Sequence, residues 1–284
     1  MHWVYFAAIS VISISVANVL QRILAREEKN DPIANSIVFQ FLVALFTGIY
    51  AVSKGFVPPP IHLFPVQFAV STVFYGLGTL SLFTALKRLG SSEVTILSSF
   101  GALVTIAGSL VFLDEKLSPL LILGTFLILL SVFLVTRFDS VKIRSSRTAV
   151  FYALAGTSLY GLAVVSDTFI LRRYDAVSYT PVISLLPGIF LTIIHPRAVG
   201  NIVRIMHRDF LKPMVLFSCF YGIQAVTYYL AIENGANASQ MGPFAKSQIV
   251  LTVMLAAVFL KERSGLLKKI IATVLVTAGA VLIS

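Results

Sequence analysis

Ten apolar runs, each near twenty residues and separated by short polar links, constrain this chain more than any other feature. A helix rises about 1.5 Å per residue, so about 20 apolar residues match a hydrocarbon core roughly 30 Å thick. The runs are His2–Leu24, Pro32–Ser53, Pro65–Leu86, Ser91–Leu113, Leu117–Thr136, Thr148–Leu171, Ala176–His195, Pro213–Ile232, Ala236–Leu260 and Gly265–Ser284. Open strands would leave backbone groups unpaired in lipid, so the expected form is helical throughout. Composition agrees: 57% of residues are hydrophobic, only 12% are charged, and mean hydropathy is +0.92. The first run has no basic segment before it and no small-residue cleavage site after it. It reads as a first spanning helix and not as a signal peptide.

The net charge of +10 does not point to nucleic acid, because the basic residues fall between apolar runs and form no stripe of their own. The single cysteine, Cys219, excludes an intrachain disulfide and a cysteine metal site. The four histidines lie at run ends or in links without metal spacing, and no phosphate-binding glycine motif occurs. No catalytic constellation or cofactor motif is visible. A membrane-embedded enzyme is therefore the weaker alternative, and a channel or accessory subunit is another.

The chain repeats itself. Val111–Lys116 and Val258–Arg263 both read Val-Phe-Leu-x-Glu-(Lys/Arg). Phe74-Tyr75-Gly76 matches Phe220-Tyr221-Gly222, with Ala85 and Ala231 at a common offset behind them. Asp31 precedes the second run as Asp175 precedes the seventh, and Asn18 falls near the place of Asp167. The order of these matches gives two units, residues 1–137 and 148–284, joined by the basic link Arg137–Arg147. Five helices per unit is an odd number, so the second copy must enter the membrane inverted. Charge placement agrees, since 17 of the 22 Lys and Arg lie in links after odd-numbered runs. The positive-inside rule then puts those links in the cytoplasm and both termini outside.

These paired halves resemble the EamA-type transporters of the drug/metabolite transporter superfamily. The resemblance covers nearly the whole chain and is best kept at Ala85–Gly90, Leu113–Lys116 and Leu260–Arg263. It implies a multi-pass carrier of the plasma (inner) membrane. It also implies, from ten-helix relatives such as nucleotide-sugar transporters, cytosolic termini, the opposite of the charge count. The family's proline of the fourth and ninth helices is replaced here by Gly101 and Gln248, and Pro243 predicts a shifted helix break.

Function is expected at polar residues stranded in apolar runs. Lys246 lies about ten residues into the ninth run, roughly 15 Å deep, too far to snorkel comfortably. A charge at that depth marks a substrate or ion pathway by default. Its counterpart in the first half is near Ser99, so the fold does not demand a charge there. The triose-phosphate branch of the superfamily similarly uses basic residues of the ninth helix, which implies a carboxylate or phosphate for Lys246. Asp167 could pair with Lys246, accept a substrate amine or relay a proton, or be held by Arg172 and Arg173 at its helix end. Gln224 and Tyr228 share a helix face by their spacing, with Tyr221 a turn earlier. Tyr75 occupies the matched place in the third run. Asn18 and Gln21 in the first run, and Asn35 and Gln40 in the second, complete the candidates. Glu115 and Glu262 read as structural, fixing the turns between helices four and five and nine and ten, while Glu93 and Glu233 read as helix-end acids. The expected function is export of a small metabolite, an amino acid or organic anion, by alternating access. Its partners would be that solute, the bilayer and a proton or counter-substrate, with the chain monomeric or a homodimer.

Overall fold

The computed structural model describes residues 2–24, 31–89, 94, 97–137, 147–205, 208–259 and 266–283. Among them every regular element is helical. The first half holds α1 (His2–Leu24), α2 (Pro32–Ser53), α3 (Pro65–Arg88), α4 (Phe100–Phe112) and α5 (Pro119–Arg137). The second holds α6 (Arg147–Leu171), α7 (Ala176–Ile194), the short α8 (Ala198–Ile205), α9 (Arg208–Glu233), α10 (Ala238–Ala245), α11 (Ser247–Phe259) and α12 (Leu266–Ile283). Among the described residues, six helices are long and apolar enough to cross a membrane: α1, α2, α3, α6, α7 and α9. Large apolar side chains such as Tyr5, Val52, Val66, Phe112 and Ile193 stay exposed on the outside. In water that surface would be prohibitive; against lipid tails it is the normal state.

The helix starts follow from the sequence. Asp31 accepts the amide of Ile33 at 3.0 Å, and Asp175 accepts that of Ser178 at 2.7 Å. The matched acids are thus matched N-caps, each satisfying an orphan amide of the following helix. Pro32 and Pro65 stand in the first turns, where a missing N–H leaves no partner unsatisfied.

Packing follows the repeat. α1 lies on α9 as α6 lies on α3, and α11 lies on α1 as α4 lies on α6. α2 pairs with α7, α5 with α12, and α4 with α10. Exchanging the halves maps this set of neighbours onto itself, so most close contacts join one half to the other. Gly161 shows how tightly: a Cβ added there would lie 2.8 Å from the carbonyl oxygen of Gly101. A side chain on α6 at that point would push α4 away.

The break that Pro243 predicts in the ninth run is present: α10 ends at Ala245, and α11 begins at Ser247. Pro243 cannot donate a backbone bond, and the chain answers with a tight turn in which the Lys246 amide reaches the Pro243 carbonyl at 2.9 Å. The basic link after the seventh run contains α8, a helix too short to stand out from the charges around it. The eighth helix starts earlier than Pro213, which sits inside α9. Glu93, Glu262 and residues 260–263 of the second repeat signature lie outside the described residues.

Candidate functional site

The helices surround a cavity of about 290 Å³, walled by both halves. That is near the small end of the roughly 300–1,000 Å³ usual for ligand pockets, so it suits a small metabolite. Its wall runs from Tyr229, Ile183 and Gly242 at one end to Gln21, Leu86 and Val94 at the other. Gln21 and Leu86 are near the C-terminal ends of α1 and α3, so the lining reaches one rim of the bundle. We call that rim the open end.

The other rim is sealed. Glu115 accepts the amides of Ala238 and Ser239 at 3.1 and 2.9 Å and an arginine N–H of Arg172 at 2.9 Å. Glu233 accepts the Ala176 amide at 3.1 Å, and Ser166 donates to the Gln67 carbonyl at 3.0 Å. Tyr174 donates to the Val57 carbonyl at 2.5 Å. Glu115 therefore does not serve its own turn, as the repeat signature suggested; its side chain caps α10 of the other half. The turn beside it is made by Asp114 with φ 53°, a left-handed conformation that aspartate tolerates better than most residues.

Eight of the ten candidate side chains line the cavity: Asn18, Gln21, Gln40, Tyr75, Tyr221, Gln224, Tyr228 and Lys246. Lys246 is the sole charged residue among the described lining residues. It sits at the α10–α11 break, where the C-terminal end of one helix dipole meets the N-terminal end of the next. Those partial charges largely offset, so the ammonium sets the sign of the site. Among the described residues it has no ion pair and no side-chain hydrogen bond. Gln40 donates to the Thr79 hydroxyl at 2.9 Å, and that hydroxyl meets the Tyr160 hydroxyl at 2.7 Å, joining α2, α3 and α6 along the wall. Asn18 reaches Gln248 and Thr252 only at 3.4 and 3.5 Å, and Gln224 reaches Ser10 at 3.4 Å. These long contacts leave amide capacity for a ligand.

Asp167 is one exception. It lies behind the wall, fully buried, and neither Lys246 nor the neighbouring arginines pair with it. Instead it accepts four hydroxyls: Ser71 at 2.6 Å, Tyr75 at 2.5 Å, Tyr179 at 2.7 Å and Tyr229 at 2.5 Å. Arg172 is engaged by Glu115. The sequence could not show this, because the donors come from α3, α7 and α9 and share no local spacing. Thr79 and Ser10 were likewise missed, since single Ser and Thr hydroxyls in apolar helices usually bond their own backbone, and Tyr160 because its partner Thr79 lies on another helix. Asn35, the other exception, is buried outside the cavity.

No group of His, Cys, Asp and Glu among the described residues could hold a metal ion. No curated protein matches the chain significantly in sequence. A crystal structure described only as that of a "protein" is 15% identical, with a TM-score of 0.78, covering 99% of this chain and 96% of its own. At that identity the likeness is one of fold. The model of the EamA-like transporter family matches residues 1–137 and again 147–284. Matched over both of its halves, the chain belongs to the EamA-like transporter family.

Proposed function

We propose that this transporter crosses the plasma membrane ten times, as two inverted five-helix repeats, and exports a small carboxylate-bearing metabolite by alternating access. The metabolite is an amino acid or another organic anion, and Lys246 takes its anionic group. The observation that carries this reading is a lone ammonium in a cavity whose described lining holds no carboxylate. An isolated charge at membrane depth is costly, and a ligand anion offsets that cost. The aromatic wall around it, including Tyr221, Tyr228 and Phe217, suits an apolar body behind the anionic end. A hydrophobic cation would meet only repulsion at Lys246 and no acid to receive it.

The loading direction follows from charge. α1 and α3 finish at the open end, and the links that follow odd-numbered runs hold most Lys and Arg of the sequence, which the positive-inside rule assigns to the cytoplasm. A cavity open there loads from inside, as an exporter must. The test is counterflow into liposomes preloaded in turn with amino acids, other carboxylates, phosphorylated metabolites and organic cations. Uptake of a labelled carboxylate is expected, chemically unchanged. Counterflow of organic cations alone would overturn the substrate class, and turnover to a new product would overturn the carrier.

A further inference from the structure

We propose that Asp167 is a proton-operated latch: as a carboxylate it holds the sealed end shut through four hydroxyls, and taking up a proton releases that end. The inference rests on the alternating access proposed above.

Saturation is the first argument. A carboxylate has about four acceptor positions, and Ser71 and Tyr179 fill those of Oδ1 while Tyr75 and Tyr229 fill those of Oδ2. Nothing remains for a substrate amine, so Asp167 is no substrate ligand while the cage is intact. The donors stand on α3, α7 and α9, and Asp167 itself on α6. One carboxylate thus ties the first half of the chain to three helices of the second. Two of the donors lie near the sealed rim: Tyr179 is four residues past the cap Asp175, and Tyr229 is four before Glu233.

Position is the second. Tyr75 and Tyr229 are cavity wall on one side and donors to Asp167 on the other, with their hydroxyls 3.0 Å apart. These two rings separate the cavity from the carboxylate. Substrate in the cavity touches the same residues that hold the latch.

Asymmetry is the third. In the first half Asn18 falls near the place that matches Asp167, and Tyr221 of the second half matches Tyr75. Around Tyr221 stand Phe39, Phe83 and Phe217, packed ring on ring, with Phe39 and Phe217 stacked at 5.0 Å. The open end therefore has an aromatic cluster where the sealed end has an acid. That aromatic cluster contains no carboxylate.

A proton changes the count of bonds. When water delivers it to one carboxylate oxygen, that oxygen becomes an O–H donor and one acceptor position disappears. At least one of the four hydroxyl-to-carboxylate bonds must then break or reverse, and the only covalent change is the new O–H. The proton returns to water when the cage re-forms, so one proton accompanies each cycle. The titratable groups facing the carboxylate are Tyr75 on α3, Tyr179 on α7, and Tyr228 and Tyr229 on α9. From α1 and α10, Trp3 and Phe244 join the same apolar cluster. The nearest other acids of the sealed end, Glu115 and Glu233, are occupied by helix amides, and Glu115 also by Arg172. No cation among the described residues pairs with Asp167.

The test is thiol labelling from the sealed face in a Cys219→Ala background. Ala225→Cys places a thiol in the cavity wall, and Lys54→Cys places one on the exposed sealed rim. The ratio of their rates with an impermeant methanethiosulfonate cancels the thiolate fraction. Going from about pH 7.5 to about pH 5.5 should raise this ratio about fivefold or more with Asp167 present. Asp167→Asn, which offers fewer acceptor positions, should show the raised ratio at both pH values. Tyr229→Phe and Tyr179→Phe keep the rings and lose one donor each; they should raise the ratio at pH 7.5 and still respond to acid. These two carry the test if Asp167→Asn fails to fold. A ratio indifferent to pH in the presence of Asp167, or low at both pH values in Asp167→Asn, overturns the latch. Equal labelling of the wall thiol from both faces under all conditions would instead overturn alternating access itself.

Discussion

A lysine that meets no acid is a different object from a lysine in an ion pair, and the distinction can be measured. Lys246 and Asp167 were both legible in the sequence as charges in apolar runs, yet their pairing was not decidable there. The structure separates them: one lines the cavity, and the other sits behind tyrosines. Lys246→Gln should therefore leave the melting temperature in detergent unchanged or raise it, because an ammonium at membrane depth without a partner is a cost to the fold. The same change should weaken binding of a carboxylate substrate about 10- to 100-fold, the usual worth of about 1.5–3 kcal/mol for a hydrogen bond to a charged group. Lys246→Arg should not restore it, since a planar fork and a point charge are different ligands. In a double-mutant cycle with Asp167→Asn, the stability effects should add within about 0.5 kcal/mol. A larger coupling would mean the two charges pair in another state of the cycle. Wild-type transport by Lys246→Gln would remove the lysine from the site.

Helices were the most legible level, because each apolar run of about 20 residues admits only one backbone solution in lipid. What stayed hidden were interruptions and long-range caps. Pro243 announced a break, but only the turn at Lys246 locates it. Glu115 belongs to a sequence signature whose local role looked sufficient, while its side chain works on α10. Cap and ion pair can be weighed against each other there. Glu115→Gln should cost about 1–2 kcal/mol through the two amides of α10. Arg172→Gln should cost less than about 1 kcal/mol, since the arginine side chain is 41% exposed and its pair is screened. Thermal unfolding in detergent reads both; equal losses would assign the stability to the ion pair and not to the cap. Helix packing offers a second contrast. Gly161→Ala sets a methyl 2.8 Å from a backbone oxygen of α4, whereas Gly200→Ala on α8 meets nothing within 4 Å. The first should lose about 1–3 kcal/mol, and the second should be neutral or gain up to about 1 kcal/mol. Equal melting temperatures for the two variants would show that α4 and α6 can separate freely.

At the scale of the whole molecule the repeat was legible from a few matched residues, and the exchange of helix neighbours between the halves follows it. The cavity was not legible, because its walls are drawn from helices distant in sequence and its two ends differ only through residues that the repeat does not share. Which end faces the cytoplasm is a separate question, on which the charge count and the resemblance give opposite expectations. Of the 22 Lys and Arg, 17 belong in sequence to links after odd-numbered runs, and 4 to the links between them. A Lys or Arg near the bilayer resists translocation, so the richer end should remain cytoplasmic. Resemblance to ten-helix nucleotide-sugar transporters, with cytosolic termini, implies the reverse. In Cys219→Ala, Lys54→Cys marks the sealed end and Arg147→Cys the open end, both at exposed positions. An impermeant maleimide added to intact cells should label the first and spare the second until the membrane is opened. The opposite pattern would turn the molecule over: the Asp167 cage would face the cytoplasm, the cavity would load from outside, and the export reading would fall while the latch and the lysine site stood.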